Sequence, residues 1–185
     1  MILPDVVSRM FADADAEERA LEAQRDGAFD IFISSDYPAV WSALTSLQSS
    51  GGLFLEWGSG LGVVAAMGAM LGLDAHGIEL QPALVARARA FAKRQGVEVT
   101  FAVGTIFPDD LPIDPALFDE DLIHGGEGAD GYVELGTPLE EFDVIYGFPW
   151  PGEEELFLEL FRRGAGAHAT LLLNLGRDGI RVVTR

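Results

Sequence analysis

The residues best equipped for chemistry in this chain are two carboxylates set around a run of alternating glycines. In Phe54-Leu55-Glu56-Trp57-Gly58-Ser59-Gly60-Leu61-Gly62 a short apolar stretch ends in an acid, and glycine then takes every second position. Glycine at such a turn reverses the backbone tightly and lets a ligand approach with no Cβ in the way. Farther on, Gly77-Ile78-Glu79-Leu80 brings a second acid to the end of another apolar stretch. A carboxylate there can accept both hydroxyls of a ribose. Glu56, directly before the first glycine, would repel a pyrophosphate. The spacing also departs from the dinucleotide fingerprint Gly-x-Gly-x-x-Gly, because Val63 stands where its third glycine belongs. A nicotinamide oxidoreductase is therefore the weakest of three readings.

The elements that must position these residues follow from periodicity. Leu53 to Trp57 reads as a strand, Val63 to Leu71 as a helix and Ala75 to Leu80 as a strand. Pro82 to Gln95 reads as a helix stopped by Gly96. Val97 to Val103 and Phe142 to Gly147 read as strands, Glu153 to Arg163 as a helix and His168 to Asn174 as a strand. Strands alternating with helices of this length predict an α/β fold with a doubly wound, mostly parallel sheet. Ahead of it, helices are expected over 13–27 and after Asp36, where Pro38 precedes Val40, Trp41, Leu44 and Leu47 at helical spacing. The segment 107–139 breaks the rhythm with Pro108, Pro112, Pro115, Pro138 and the glycines around His124, and reads as one long loop. Two regions are expected: an N-terminal helical extension over 1–50 and a core over 51–185.

The strand–acid–glycine turn and the second acid resemble the class I S-adenosylmethionine-dependent methyltransferases, whose first motif is an apolar strand, an acid and then Gly-x-Gly-x-Gly. The resemblance covers roughly residues 53–175 and implies a Rossmann-like core with S-adenosylmethionine as cofactor. It implies that Glu56 faces the ammonium of the methionine moiety and that Gly58, Ser59 and Gly60 lie beneath that moiety. It implies further that Glu79, followed by Leu80, holds the ribose and that Gly104, Thr105 and Ile106 flank the adenine, Thr105 standing where the family often has Asp. Phe142 to Pro151 matches the fourth motif, at the rim where acceptor meets methyl group, without the Asn/Asp-Pro-Pro-Tyr of amino-methylating nucleic-acid enzymes. Tyr37, Tyr146, Trp150 and Glu153 become the candidates for the acceptor pocket. The run Gly-Ile-Glu-Leu-Gln-Pro from Gly77 is also similar to a small protein-lysine methyltransferase family with Gly-Tyr-Glu-Leu-Asn-Pro in this place. The family's sheet has seven strands. Here the Asp178-Gly179 turn signal between Leu171–Leu175 and Ile180–Thr184 predicts an antiparallel C-terminal strand beside the fifth, with the usual sixth strand and its helix missing.

Composition narrows the partners. Thirty acidic against 12 basic residues give a formal charge of −18. Nucleic-acid and anionic-lipid binding draw on Lys and Arg, so neither partner is expected. A small-molecule acceptor or a cationic protein fits. Cysteine is absent and the three histidines are scattered, so neither thiolate chemistry nor a metal site is expected. The longest uninterrupted apolar run, Gly60 to Leu73, has 14 residues, short of the roughly 20 needed to cross a bilayer. With no targeting signal, a cytoplasmic acidic protein is expected, and the uncovered sheet edge left by the missing strand points to a possible homodimer. Plainer roles compete with the functional ones: glycines for strand–helix packing, Glu79 as a solvated strand-end acid, Phe148 and Trp150 as rim hydrophobes. Arg87, Arg89, Lys93 and Arg94 read as a solvated helix face, and Glu153-Glu154-Glu155 as solvated acids. The main alternative function is a non-catalytic S-adenosylmethionine-binding domain.

Overall fold

The computed structural model describes residues 3–23, 33–47, 51–114, 117 and 128–185. Two N-terminal helices, α1 (Asp5–Ala23) and α2 (Tyr37–Ser46), precede an alternating core. The core runs β1 (Leu53–Trp57), α3 (Val63–Met70), β2 (Asp74–Glu79), α4 (Pro82–Gln95), β3 (Val99–Val103), α5 (Gly131–Leu135), β4 (Val144–Gly147), α6 (Glu154–Gly164), β5 (Thr170–Asn174) and β6 (Ile180–Thr184). The strands form one sheet in the order β3-β2-β1-β4-β5-β6. The first five are parallel and β6 is antiparallel to β5, with Asn174 opposite Ile180 and Thr170 opposite Thr184. The expected antiparallel last strand beside the fifth is thus observed. A short 3₁₀ turn over Gly176–Asp178, closed by Gly179 at φ 84°, makes the hairpin.

Alternation along each strand divides the core into two layers. Phe54, Ala75, Phe101, Val144 and Leu172 point to the side covered by α1–α4. Leu55, Trp57, Ile78, Ile145, Leu171 and Leu173 point to the side covered by α5 and α6. On that second side Trp57 Nε1 donates to the Tyr132 hydroxyl at 2.7 Å and stacks edge-on against Phe157. Glu56, Tyr146 and Asn174 fall on the first side, each near the carboxyl end of its strand, at the point where strand order reverses from β1–β2 to β1–β4. Ligands bind at such switch points in open α/β sheets.

Several expectations need correction. The first helix begins at Asp5, eight residues before Asp13, because Val7, Met10, Phe11, Ala14 and Leu21 form one buried stripe. Its expected end at Gly27 lies outside the described residues, as do Ser49 and Ser50 after α2. Asp36 caps α2, its side chain accepting from Ala39 N–H at 3.1 Å. The basic face of α4 is not simply solvated: Arg87 and Arg94 both reach Glu17 on α1, Gln95 donates to Asp13, and Arg89 donates to the Phe101 carbonyl at 2.6 Å. The segment 107–139 is not loop throughout. Asp130 accepts from Tyr132 N–H at 2.7 Å and starts α5, and Leu139–Glu141 makes a 3₁₀ turn. His124 and its neighbouring glycines up to residue 127 lie outside the described residues.

Candidate functional site

The turn after β1 is built by backbone geometry that only glycine adopts at low cost. Gly58, Gly60 and Gly62 have φ of 66°, 50° and 70°. At Gly62 a Cβ would also sit 2.5 Å from the Phe101 ring. The two acids then tie the turn to its neighbours. Glu79 accepts from Gly60 N–H and from Gln81 N–H, both at 3.0 Å, joining the ends of β1 and β2. Glu56 is buried and accepts from Ala65 N–H in the first turn of α3 at 2.8 Å, where unpaired amide donors favour an anion. Burial holds its carboxyl well above the usual carboxylate range; the Ala65 amide opposes that and Glu79 adds to it.

These groups line one cavity of about 530 Å³, within the range of small-molecule sites. Of the expected cofactor-side residues, Glu56, Gly58, Ser59, Gly60, Glu79, Leu80, Gly104 and Ile106 line it. Thr105 does not: it is buried beside the chain, its hydroxyl accepting from Phe107 N–H at 3.3 Å. Ser59 carries a buried hydroxyl with no hydrogen-bond partner among the described residues.

The opposite wall holds Tyr37, Tyr146, Phe148, Pro149, Trp150 and Pro151. Glu153 is apart from the cavity lining and is buried rather than solvated; its carboxylate accepts from Trp150 N–H at 3.1 Å and fixes the turn that presents the Trp150 ring. Its neighbour Glu154 does line the cavity. The Tyr37 hydroxyl donates to Glu18 on α1, and its ring packs on Phe11, 5.8 Å between centroids. Burial raises the phenol pKa of both Tyr37 and Tyr146, so both are neutral. Sequence reasoning missed Ser35, Asn174 and Arg177. Ser35 Oγ lies 2.6 Å from the Tyr146 hydroxyl, Asn174 Nδ2 donates to that hydroxyl at 2.8 Å, and Arg177 lines the cavity from the β5–β6 turn. Among the described residues no cluster of His, Asp and Glu could hold a metal ion, and no helix is long and apolar enough to cross a membrane.

No protein-family model matches the chain, and no curated protein matches it in sequence. Solved structures do match. An RNA methyltransferase from Salinibacter ruber in complex with S-adenosyl-L-homocysteine is similar at 20% identity and TM-score 0.52 over 76% of each chain. An S-adenosylmethionine-dependent methyltransferase from Thiobacillus denitrificans, also in complex with S-adenosyl-L-homocysteine, is similar at 17% identity and TM-score 0.52. That match takes 94% of this chain but 56% of the other, so this chain spans little more than half its length. A hypothetical protein from Thermus thermophilus is similar at 19% identity and TM-score 0.57, over 84% of this chain and 90% of its own. At these identities the likeness is one of fold: the chain has the Rossmann-like fold of the class I S-adenosylmethionine-dependent methyltransferases.

Proposed function

We propose that this protein is an S-adenosylmethionine-dependent methyltransferase acting on a small-molecule or protein acceptor. The observation that carries the reading is the pair Glu56 and Glu79 held on either side of a positive-φ glycine turn, at the switch point of the sheet, facing one cavity. Two neighbours with this fold hold S-adenosyl-L-homocysteine. The cavity residues suit that group. Glu79 keeps carboxylate lone pairs for a ribose, Glu56 faces a cationic amine, and the orphaned Ser59 hydroxyl gains a partner.

When bound, the cofactor supplies an electrophilic methyl group on a sulfonium. The chain's own task is then to orient the two partners and exclude water, because in-line displacement gains most from positioning. Phe148, Pro149, Trp150 and Tyr146 supply the dry wall, Tyr37 closes it from α2, and Glu153 holds the Trp150 turn. We assign residues 51–185 to the cofactor-binding core and residues 1–50 to an extension that completes the acceptor side. The charge of −18 argues against carrying the RNA substrate of the Salinibacter neighbour over to this chain.

A thermal-shift screen with S-adenosylmethionine, S-adenosylhomocysteine and NAD tests the reading. Stabilisation by the first two alone is expected. Stabilisation by NAD alone would overturn it, and cofactor binding with no methyl transfer to any acceptor would favour a non-catalytic binding domain.

A further inference from the structure

One hydroxyl proton in the cavity has no acceptor among the described residues. The Asn174 side-chain oxygen accepts from Gly176 N–H at 3.0 Å, which fixes the amide so that Nδ2 points at Tyr146 and donates to its hydroxyl. Tyr146 and Ser35 each carry one hydroxyl proton, and they share one contact of 2.6 Å. Whichever of the two donates in that contact, one proton is left over. Neither hydroxyl has a further partner among the described residues, and both side chains line the cavity. A ligand group that displaces water there must bring a lone pair, or leave a hydroxyl proton unpaired at a cost.

The neighbouring charge narrows the group. Arg177, three residues beyond Asn174, is the one basic side chain among the described residues lining the cavity. It makes no ion pair among the described residues. The acids on the same cavity each accept from backbone amides, Glu56 from Ala65, Glu79 from Gly60 and Gln81, Glu154 from Gly152, and none of them pairs with Arg177. A guanidinium with no ion pair among the described residues and a surplus hydroxyl proton, both lining one cavity, match a carboxylate, which takes both kinds of donor.

We propose that Ser35, Tyr146, Asn174 and Arg177 form a carboxylate subsite at the carboxyl end of β5. Tyr146, Ser35 and Arg177 touch the ligand, and Asn174 is a positioning residue acting through Tyr146. The carboxylate belongs either to the amino-acid end of the cofactor or to the acceptor; this choice of sources rests on the methyl-transfer reading, while the subsite itself does not.

Calorimetry with S-adenosylhomocysteine and with 5′-methylthioadenosine, which lacks the amino-acid end, separates the sources in the wild type, Arg177→Gln and Tyr146→Phe. Arg177 is exposed, so its variant threatens the fold least. A loss of tenfold or more for S-adenosylhomocysteine in both variants, with methylthioadenosine unchanged, assigns the subsite to the cofactor. Unchanged S-adenosylhomocysteine binding, with propionate binding to that complex by NMR titration in the wild type and lost in both variants, assigns it to the acceptor. Unchanged cofactor affinity together with propionate bound no better than propionamide overturns the subsite. If neither nucleoside binds the wild type, the methyl-transfer reading fails, and the same propionate titration on the free protein still decides the subsite.

Discussion

The two walls of the cavity are built in opposite ways. On the side proposed for the cofactor the contacts are local: Glu56 reaches Ala65, nine residues on, and Glu79 reaches Gly60, 19 residues back. On the opposite wall, proposed for the acceptor, Ser35 reaches Tyr146 across 111 residues and Asn174 reaches it across 28. The first wall is a turn that the glycines and acids specify by their own spacing. The second exists only once the sheet has formed and α2 has docked. Local motifs therefore disclose the proposed cofactor wall, and the proposed acceptor wall waits on the fold.

The comparison can be broken first at the N-terminus. Deleting residues 1–36 removes Val7, Met10, Phe11, Ala14 and Leu21 from the layer shared with α3 and α4. Each fully buried apolar side chain contributes about 1.5–3 kcal/mol. Loss of the cooperative melt in circular dichroism is expected. A deletion mutant that folds with full cofactor affinity would show that α1 serves the acceptor wall alone.

A smaller loss is expected at the turn itself. Gly62→Ala forces a side chain into left-handed backbone, about 1–2 kcal/mol, and against the Phe101 ring, about 1–3 kcal/mol more. Urea denaturation should show the sum, and a variant as stable as the wild type would mean that the turn tolerates a Cβ.

Glu56→Gln sharpens the comparison, because it should raise stability while lowering cofactor affinity. Below the ordinary carboxyl pKa, near 4.5, folded and unfolded chains both hold the proton. As pH rises through that value the unfolded chain ionises first, since burial keeps the folded carboxyl protonated longer, so Glu56 costs stability progressively until the folded group ionises too. The variant's stability should fall less steeply from pH 4.5 upward in thermal melts. A profile parallel to the wild type's would show that Glu56 ionises normally in the fold. At the small end, Ser35→Ala removes one part-buried hydrogen bond, about 1 kcal/mol, and should leave S-adenosylhomocysteine affinity unchanged if the Ser35–Tyr146 contact serves only the acceptor. Calorimetry reads it, and a tenfold loss would move Ser35 to the cofactor side.

What was legible in the sequence follows the same division. Strands β1 and β6 and helix α4 were readable to the residue, since apolar runs, Pro82 and Gly96 mark their limits. The antiparallel return of β6 was readable from Asp178-Gly179 between two apolar runs. The start of α1 was not, because its apolar stripe is interleaved with Asp5, Arg9 and Asp13 and makes sense only in the layer it shares with Leu84, Ala88 and Phe91 of α4. Glu153 looked like one of three solvated acids, and nothing in its neighbours marks it as the group that turns back on Trp150. Asn174 ends an apolar strand, and its amide matters only because the sheet brings Tyr146 of β4 beside it.

The most direct test of the account is calorimetry of S-adenosylhomocysteine on the wild type and on Glu79→Ala, with Glu79→Gln as the conservative control. Binding to the wild type is expected. In Glu79→Ala it should weaken by about 1–3 kcal/mol, the size of losing hydrogen bonds to a charged acceptor, with an intermediate loss in Glu79→Gln. Equal affinity in all three proteins would contradict the assignment of Glu79 to the ribose and, with it, the reading of the glycine turn as the cofactor site.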